Sequence, residues 1–198
     1  MKPWNLVFLA GLIVYLGIRH VFMRRTSIGN PSTYRQMDNL ERALLGIVAV
    51  GTMFLPLLYL ATSWLAFADY TLPQAAPWCG TALMAAGLWL FYRAHADLGR
   101  NWSVTLELRE GHQLITRGVY RYIRHPMYTS IFLFSVAQGM LLANWLAGWG
   151  ALVTFTLLYL IRTPREERMM CEAFGDQYRA YMRQTGRLWP RVMTARHV

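Results

Sequence analysis

The sequence predicts an all-α integral membrane protein of five transmembrane helices, with the N-terminus outside and the C-terminus in the cytoplasm. Three observations predict it. Of 198 residues, 55% are hydrophobic and only 15% are charged, against roughly a quarter charged in an ordinary soluble domain. Asp, Glu, Lys and Arg are absent from four long stretches: 3–18, 43–68, 70–92 and 127–161. Finally, five spans place all 19 arginines on one face, which the positive-inside rule makes cytoplasmic, whereas four or six would scatter them. The same figures exclude a disordered basic protein, which would lack the apolar residues. The net charge of +10 therefore reads as one arginine-rich membrane face and not as a nucleic-acid-binding surface. The length leaves room for one membrane domain, 1–198.

Each span follows from its composition. A transmembrane helix needs about 20 mainly apolar residues. Span 1 is expected at 3–23, with Arg19 near its end, where it can snorkel. A cleavable signal peptide fits poorly, because the basic flank follows the apolar run and no Ala-x-Ala site precedes Arg19. Spans 2 and 3 are expected at 43–68 and 72–95. The stretch 127–161 is too long for one span and short for two. Its centre, 143–150, reads ANWLAGWG, rich in turn formers and interfacial tryptophan. It is read as a tight hairpin of two short spans, 127–143 and 146–162. Cys79 then lies near the outer face and Cys171 in the cytoplasm, so they cannot pair. Ala82-x-x-x-Ala86 and Gly139-x-x-x-Ala143 are small-residue pairs that can pack spans within one chain or join two in a homodimer.

Two polar segments remain on the arginine face. The first, 97–126, is a cytoplasmic loop in which Val104–Leu108 alternates like a short strand and Glu110-Gly111 is a turn. The second, 163–190, opens with Thr163-Pro164-Arg165-Glu166, the form of a capping box with Pro at the first helical position. Met169, Met170, Ala173, Phe174, Tyr178 and Tyr181 then recur at helical spacing, with a break expected near Gly175-Asp176. Arg179, Arg183, Arg187 and Arg191 are expected against anionic headgroups.

These segments carry a family resemblance. The run from Gly111-His112-Gln113 through Arg117-Gly118-Val119-Tyr120 to Arg124-His125-Pro126-Met127-Tyr128 is followed by the hairpin. After it come Arg162, Glu166-Glu167, Phe174-Gly175-x-x-Tyr178-x-x-Tyr181 and Leu188-Trp189-Pro190. Over roughly 95–190 this resembles the isoprenylcysteine carboxyl methyltransferase family and its relatives among membrane phospholipid methyltransferases. The Arg-His-Pro-x-Tyr motif, a helical hairpin and a Glu-Glu pair in that order are a specific signature. The five-span layout also looks like that of the smaller prokaryotic members. The resemblance implies a methyltransferase using S-adenosylmethionine and releasing S-adenosylhomocysteine. Its cofactor site would be built on the cytoplasmic side, from the loop between spans 3 and 4 and a C-terminal helix. The chain carries no Gly-x-Gly-x-x-Gly and no alternating strand–helix pattern, so a Rossmann-type site is not expected.

The candidate residues follow. By the resemblance, His112, Leu114 and Ile115 contact the cofactor, with the apolar pair walling the adenine. Pro126 is expected in the first turn of span 4, where its missing N–H costs little and the free N–H groups suit the cofactor carboxylate. Tyr120, His125 and Tyr128 add polar groups there. A cationic cofactor calls for a carboxylate, and Glu166 aligns with the family's cofactor-binding glutamate. Arg162 aligns with a substrate-binding arginine that could hold an acidic acceptor. His125 and Glu167, with His112, are the candidates for a base if the acceptor must lose a proton. No cluster of metal ligands is seen.

The expected function is methyl transfer to a hydrophobic or membrane-embedded acceptor among membrane lipids, foremost the carboxylate of an isoprenylcysteine-like substrate. The alternatives are a phospholipid N-methyltransferase or thiol S-methyltransferase, then a membrane reductase or a non-catalytic scaffold. The expected location is the inner membrane, if the source is prokaryotic, with the active site facing the cytoplasm.

Overall fold

The computed structural model describes residues 2–27, 32–35, 38–99, 107–109 and 113–191. His112 and the expected turn at Glu110-Gly111 lie outside the described residues. Among the described residues, five long helical segments pack together: α1 (Pro3–Ser27), the continuous run of α2 (Asn39–Ala49), a π-helical turn (Val50–Phe54) and α3 (Leu55–Ala61), α4 (Ala76–Leu98), α5 (Pro126–Leu142) and α6 (Trp145–Phe174). A shorter helix, α7 (Asp176–Gln184), follows. The described residues also form a two-stranded antiparallel ribbon of β1 (Ser32–Arg35) and β2 (Glu107–Arg109), with Arg35 opposite Glu107.

Among the described residues, three helices are long and apolar enough to cross a membrane: Pro3–Arg25, Asn39–Ala61 and Trp145–Phe174. The 17-residue α5 is a shorter apolar helix. Trp64, Trp78, Trp89 and Trp145 are exposed on the outside of the bundle, as surfaces facing lipid allow.

The second segment differs most from a plain span. Asp38 caps α2, accepting from the Glu41 N–H at 2.8 Å. The helix therefore starts four residues before the apolar stretch, carries Glu41 inside its first turn, and stops at Ala61 instead of 68. The π turn precedes Pro56, which withdraws the N–H that an α pattern would aim at the Thr52 carbonyl. Gln138, fully buried on α5, donates to the carbonyls of Gly51 (3.0 Å) and Ala147 (2.7 Å), pinning the π turn to the hairpin. Here α6 approaches closely: a Cβ on Gly51 would lie 2.6 Å from the Gly150 carbonyl oxygen.

The α5–α6 hairpin closes in two residues. Ala143 takes a left-handed conformation (φ 50°), and Asn144 caps α6 by accepting from the Leu146 and Ala147 N–H groups. The Asn144 amide also donates to the Leu65 carbonyl and to Asp69. Gly139 packs within the chain, since a Cβ there would meet the Trp149 ring at 2.7 Å.

The expected helix start at Thr163-Pro164 is corrected. Both residues lie inside α6, which continues unbroken to Phe174, and Thr163 is buried. Packing of the extended helix outweighs the hydrogen bond that Pro164 removes. The chain breaks at Gly175 (φ 53°), a conformation that favours glycine, and α7 begins at Asp176.

Candidate functional site

The site forms where the ends of α5 and α6 meet the segment after α7. Pro126 occupies the first position of α5, behind His125, and no side chain caps this N-terminus. One turn into α5, Tyr128 faces the end of α6. Its hydroxyl donates to Glu166 Oε2 at 2.6 Å, and its ring lies parallel to that of His125 with centroids 5.3 Å apart. His125 therefore sits between two carboxylates: Nε2 is 3.2 Å from Glu167 Oε1, and Nδ1 is 4.0 Å from Glu166 Oε1.

The two glutamates are adjacent in sequence and opposite in environment. Glu167 is buried and gathers cations. Arg124 Nε lies at 3.2 Å and Arg187 Nη2 at 2.5 Å, besides the His125 ring. Burial alone would raise its pKa, but hydrogen bonds from His125 and Arg187 and their charges hold the carboxyl down to about 2. Glu166 keeps 30% of its side chain exposed. It is the carboxylate of the pair with a face left for a ligand.

The segment 185–188 clasps this arrangement through its backbone. The N–H groups of Arg124 and His125 donate to the carbonyls of Gly186 (2.9 Å) and Arg187 (3.0 Å), and Ile123 and Gly186 form a parallel bridge. The Thr129 hydroxyl donates to the Leu188 carbonyl at 2.7 Å. Arg124 also donates to the carbonyls of Thr185 and Met182.

The 3-10 turn before the motif rests on α4. Gly118 has φ +59°, and a Cβ there would collide with Asp97, which accepts from the Val119 N–H at 2.9 Å and from Arg93. Tyr120 is buried. Its hydroxyl points to the Ala94 carbonyl (3.3 Å), while its own carbonyl accepts from Tyr181 (2.6 Å). Burial and then the Glu166 charge raise its phenol well above the ordinary value, so it stays protonated. Leu114 and Ile115 are half-buried in the irregular segment preceding this turn.

Arg162 lies one helical turn before Glu166 on the same face of α6. Its Nη1 is 3.3 Å from Glu41 Oε1 of α2, and both side chains are nearly buried. A small pocket beside them is lined by Glu41, Leu44, Leu158, Ile161, Arg162 and Arg165. Arg165 pairs with Asp38 at 3.0 Å.

The structure thus brings His125, Pro126, Tyr128, Glu166 and Glu167 together, with Arg162 a turn away. Sequence reasoning missed Glu41 and the partner of Arg187, and carried Arg124 only as part of the motif. It took Arg187 for a headgroup contact, whereas Arg187 binds Glu167. The one available signal was that ten acidic residues face twenty basic ones, so a buried Glu in such a chain would be paired.

Residues 79–172 match the model of the isoprenylcysteine carboxyl methyltransferase (ICMT) family. The chain is 31% identical over 104 residues to protein-S-isoprenylcysteine O-methyltransferase B of Arabidopsis thaliana, covering 52% of this chain and 53% of that protein. It is 30% identical over 107 residues to protein-S-isoprenylcysteine O-methyltransferase of Homo sapiens, covering 53% and 38%. The chain thus spans about half the length, or less, of these two relatives. The solved structure of the eukaryotic intramembrane Ras methyltransferase ICMT superposes with a TM-score of 0.55 at 23% identity, covering 96% of this chain and 68% of that one. That likeness is one of fold.

Proposed function

We propose, from the match of residues 79–172 to the isoprenylcysteine carboxyl methyltransferase family, that this integral membrane protein transfers a methyl group from S-adenosylmethionine to the carboxylate of an isoprenylcysteine-like acceptor. The observation that carries the reading is the pairing of opposite charges along one face of α6. Arg162 and, one turn on, the half-exposed Glu166 offer an anion site beside a cation site.

The residues present fit a cationic cofactor. Glu166 is a carboxylate with an open face, aimed by the Tyr128 hydroxyl. When bound, S-adenosylmethionine supplies a methyl group already activated on a sulfonium, so the protein's work is position, charge and exclusion of water. Glu166 and Tyr128 hold the cationic part. Leu114 and Ile115 provide an apolar wall, with His112 beside them in sequence. The uncapped N-terminus of α5 behind His125-Pro126 suits an anionic group.

A carboxylate acceptor is already ionised at neutral pH and needs no base. His125 and Glu167 then serve by holding the site. The Glu167 carboxylate, held near a pKa of 2, accepts hydrogen bonds and takes up no proton. It orients the His125 ring with Nε2–H toward itself, leaving Nδ1 toward Glu166. Arg162 holds the acceptor carboxylate, and the acceptor's apolar part lies among the helices and lipid.

The test is transfer of radiolabelled methyl to N-acetyl-S-farnesylcysteine in detergent, followed by mild base. An ester releases labelled methanol under base. Label retained after base marks an N- or S-methyl product and replaces carboxyl methylation with the phospholipid or thiol reading. Absence of any transfer, with no binding of S-adenosylhomocysteine, removes the methyltransferase reading altogether.

A further inference from the structure

Glu41 is the carboxylate that the proposed mechanism leaves without a role. It sits in the first turn of α2, is 3% exposed, and reaches 121 residues along the chain to Arg162. Burying a carboxylate at the end of an apolar helix is costly unless it is paired. Around it the charges already balance: Glu41 meets Arg162, and one turn away Asp38 meets Arg165. The rest of the pocket wall is Leu44, Leu158 and Ile161. An acidic acceptor arriving at Arg162 would bring a second carboxylate into an apolar recess whose cation is already satisfied. Two carboxylates sharing one buried guanidinium repel strongly.

We propose that Glu41 is a built-in competitor for Arg162, a carboxylate that occupies the guanidinium between turnovers and that the acceptor carboxylate must displace. This rests on the carboxyl-methylation reading above. It also gives the site a direction. Methylation turns the acceptor's anion into a neutral ester, with the methyl carbon–sulfur bond breaking as the carbon–oxygen bond forms. The ester has no charge with which to hold Arg162, so Glu41 re-pairs and the product is released. Glu41 thus acts through Arg162, loosening the hold on the acid and leaving the affinity for the ester unchanged, without touching the reacting atoms.

The experiment compares wild type, Glu41→Gln and Glu41→Asp, purified whole in detergent. Binding of N-acetyl-S-farnesylcysteine and of its methyl ester is measured by titration, alongside KM and kcat for the acid. In Glu41→Gln the acid binds about tenfold more tightly, the worth of one charge-assisted hydrogen bond no longer contested. KM falls in parallel, and acid-over-ester discrimination by binding widens. The Asp variant keeps the charge with a shorter reach and falls between the two. Acid affinity that is unchanged or weakened in Glu41→Gln, with the variant folded by size-exclusion profile, overturns the proposal and makes Glu41 a support for Arg162. Acid that binds wild type and responds to Glu41→Gln, yet is never methylated, overturns the carboxyl-methylation reading and leaves the competition intact. Acid that binds neither protein overturns both.

Discussion

Replacing Glu167 with Gln removes one negative charge from a buried position that faces His125, Arg124 and Arg187. The Glu167 carboxyl is lowered from an ordinary 4.5 to about 2, which corresponds to about 3 kcal/mol of folded-state stabilisation at 1.36 kcal/mol per unit. A folded-state pKa below the unfolded one stabilises fully above the unfolded value and is lost as pH falls through the folded one. The gap between wild type and Glu167→Gln should therefore be complete at neutral pH, begin to narrow below about 4.5 and close near 2. At neutral pH the variant should melt roughly 6–12 °C lower, by the usual entropy of unfolding for a chain of this size. The assay is thermal unfolding in detergent, followed by intrinsic tryptophan fluorescence, for both proteins from pH 7 down to pH 2.5. Using the difference between the two removes the contribution of the other carboxylates. A gap under 2 °C at neutral pH, or one of constant size down to pH 3, refutes the argument that Arg124, Arg187 and His125 depend on this charge.

Two further outcomes follow from the same geometry. Tyr128→Phe removes the 2.6 Å hydrogen bond that aims Glu166; affinity for S-adenosylhomocysteine by calorimetry should fall about tenfold, and an unchanged Kd would detach Glu166 from the cofactor. Ala143→Gly relieves a left-handed alanine at φ 50°, a strain of about 1 kcal/mol partly offset by the freer unfolded chain. The expected net is about 0.5 kcal/mol and a melting temperature 1–2 °C higher, and a lower one would show that the methyl packs usefully.

The parts of the fold visible in the sequence were those whose causes are local. The hairpin at 143–150 announced itself because Asn144 is a good cap and the turn needs only neighbouring residues. The break at Gly175 was visible for the same reason. Where tertiary packing decides, the local signal misled: Thr163-Pro164 has the chemistry of a helix start, yet α6 passes through it. In the site, the Arg-His-Pro-x-Tyr motif and the Glu pair were legible as a set. Their partition was not, since which glutamate is buried depends on Arg124 and on Arg187, twenty residues beyond it. Glu41 is hidden more deeply, because the charge-free stretch starts only at Ala43 and nothing in the local pattern points to Arg162.

The clasp of 185–188 on 123–125 has a consequence for how the protein is made. Ribosomes deliver α5 and α6 well before this segment, and early helices pack while later chain is still being synthesised. During that interval His125, Arg124 and Glu167 can meet, but Arg187 and the carbonyls of Gly186 and Arg187 do not yet exist. A ligand pocket at this place is thus completed by a stretch made after the helices it ties together, and a newborn chain stalled before residue 185 would lack the clasp. Ligand binding by purified chains cut at increasing length would switch on as a step once residue 188 is included.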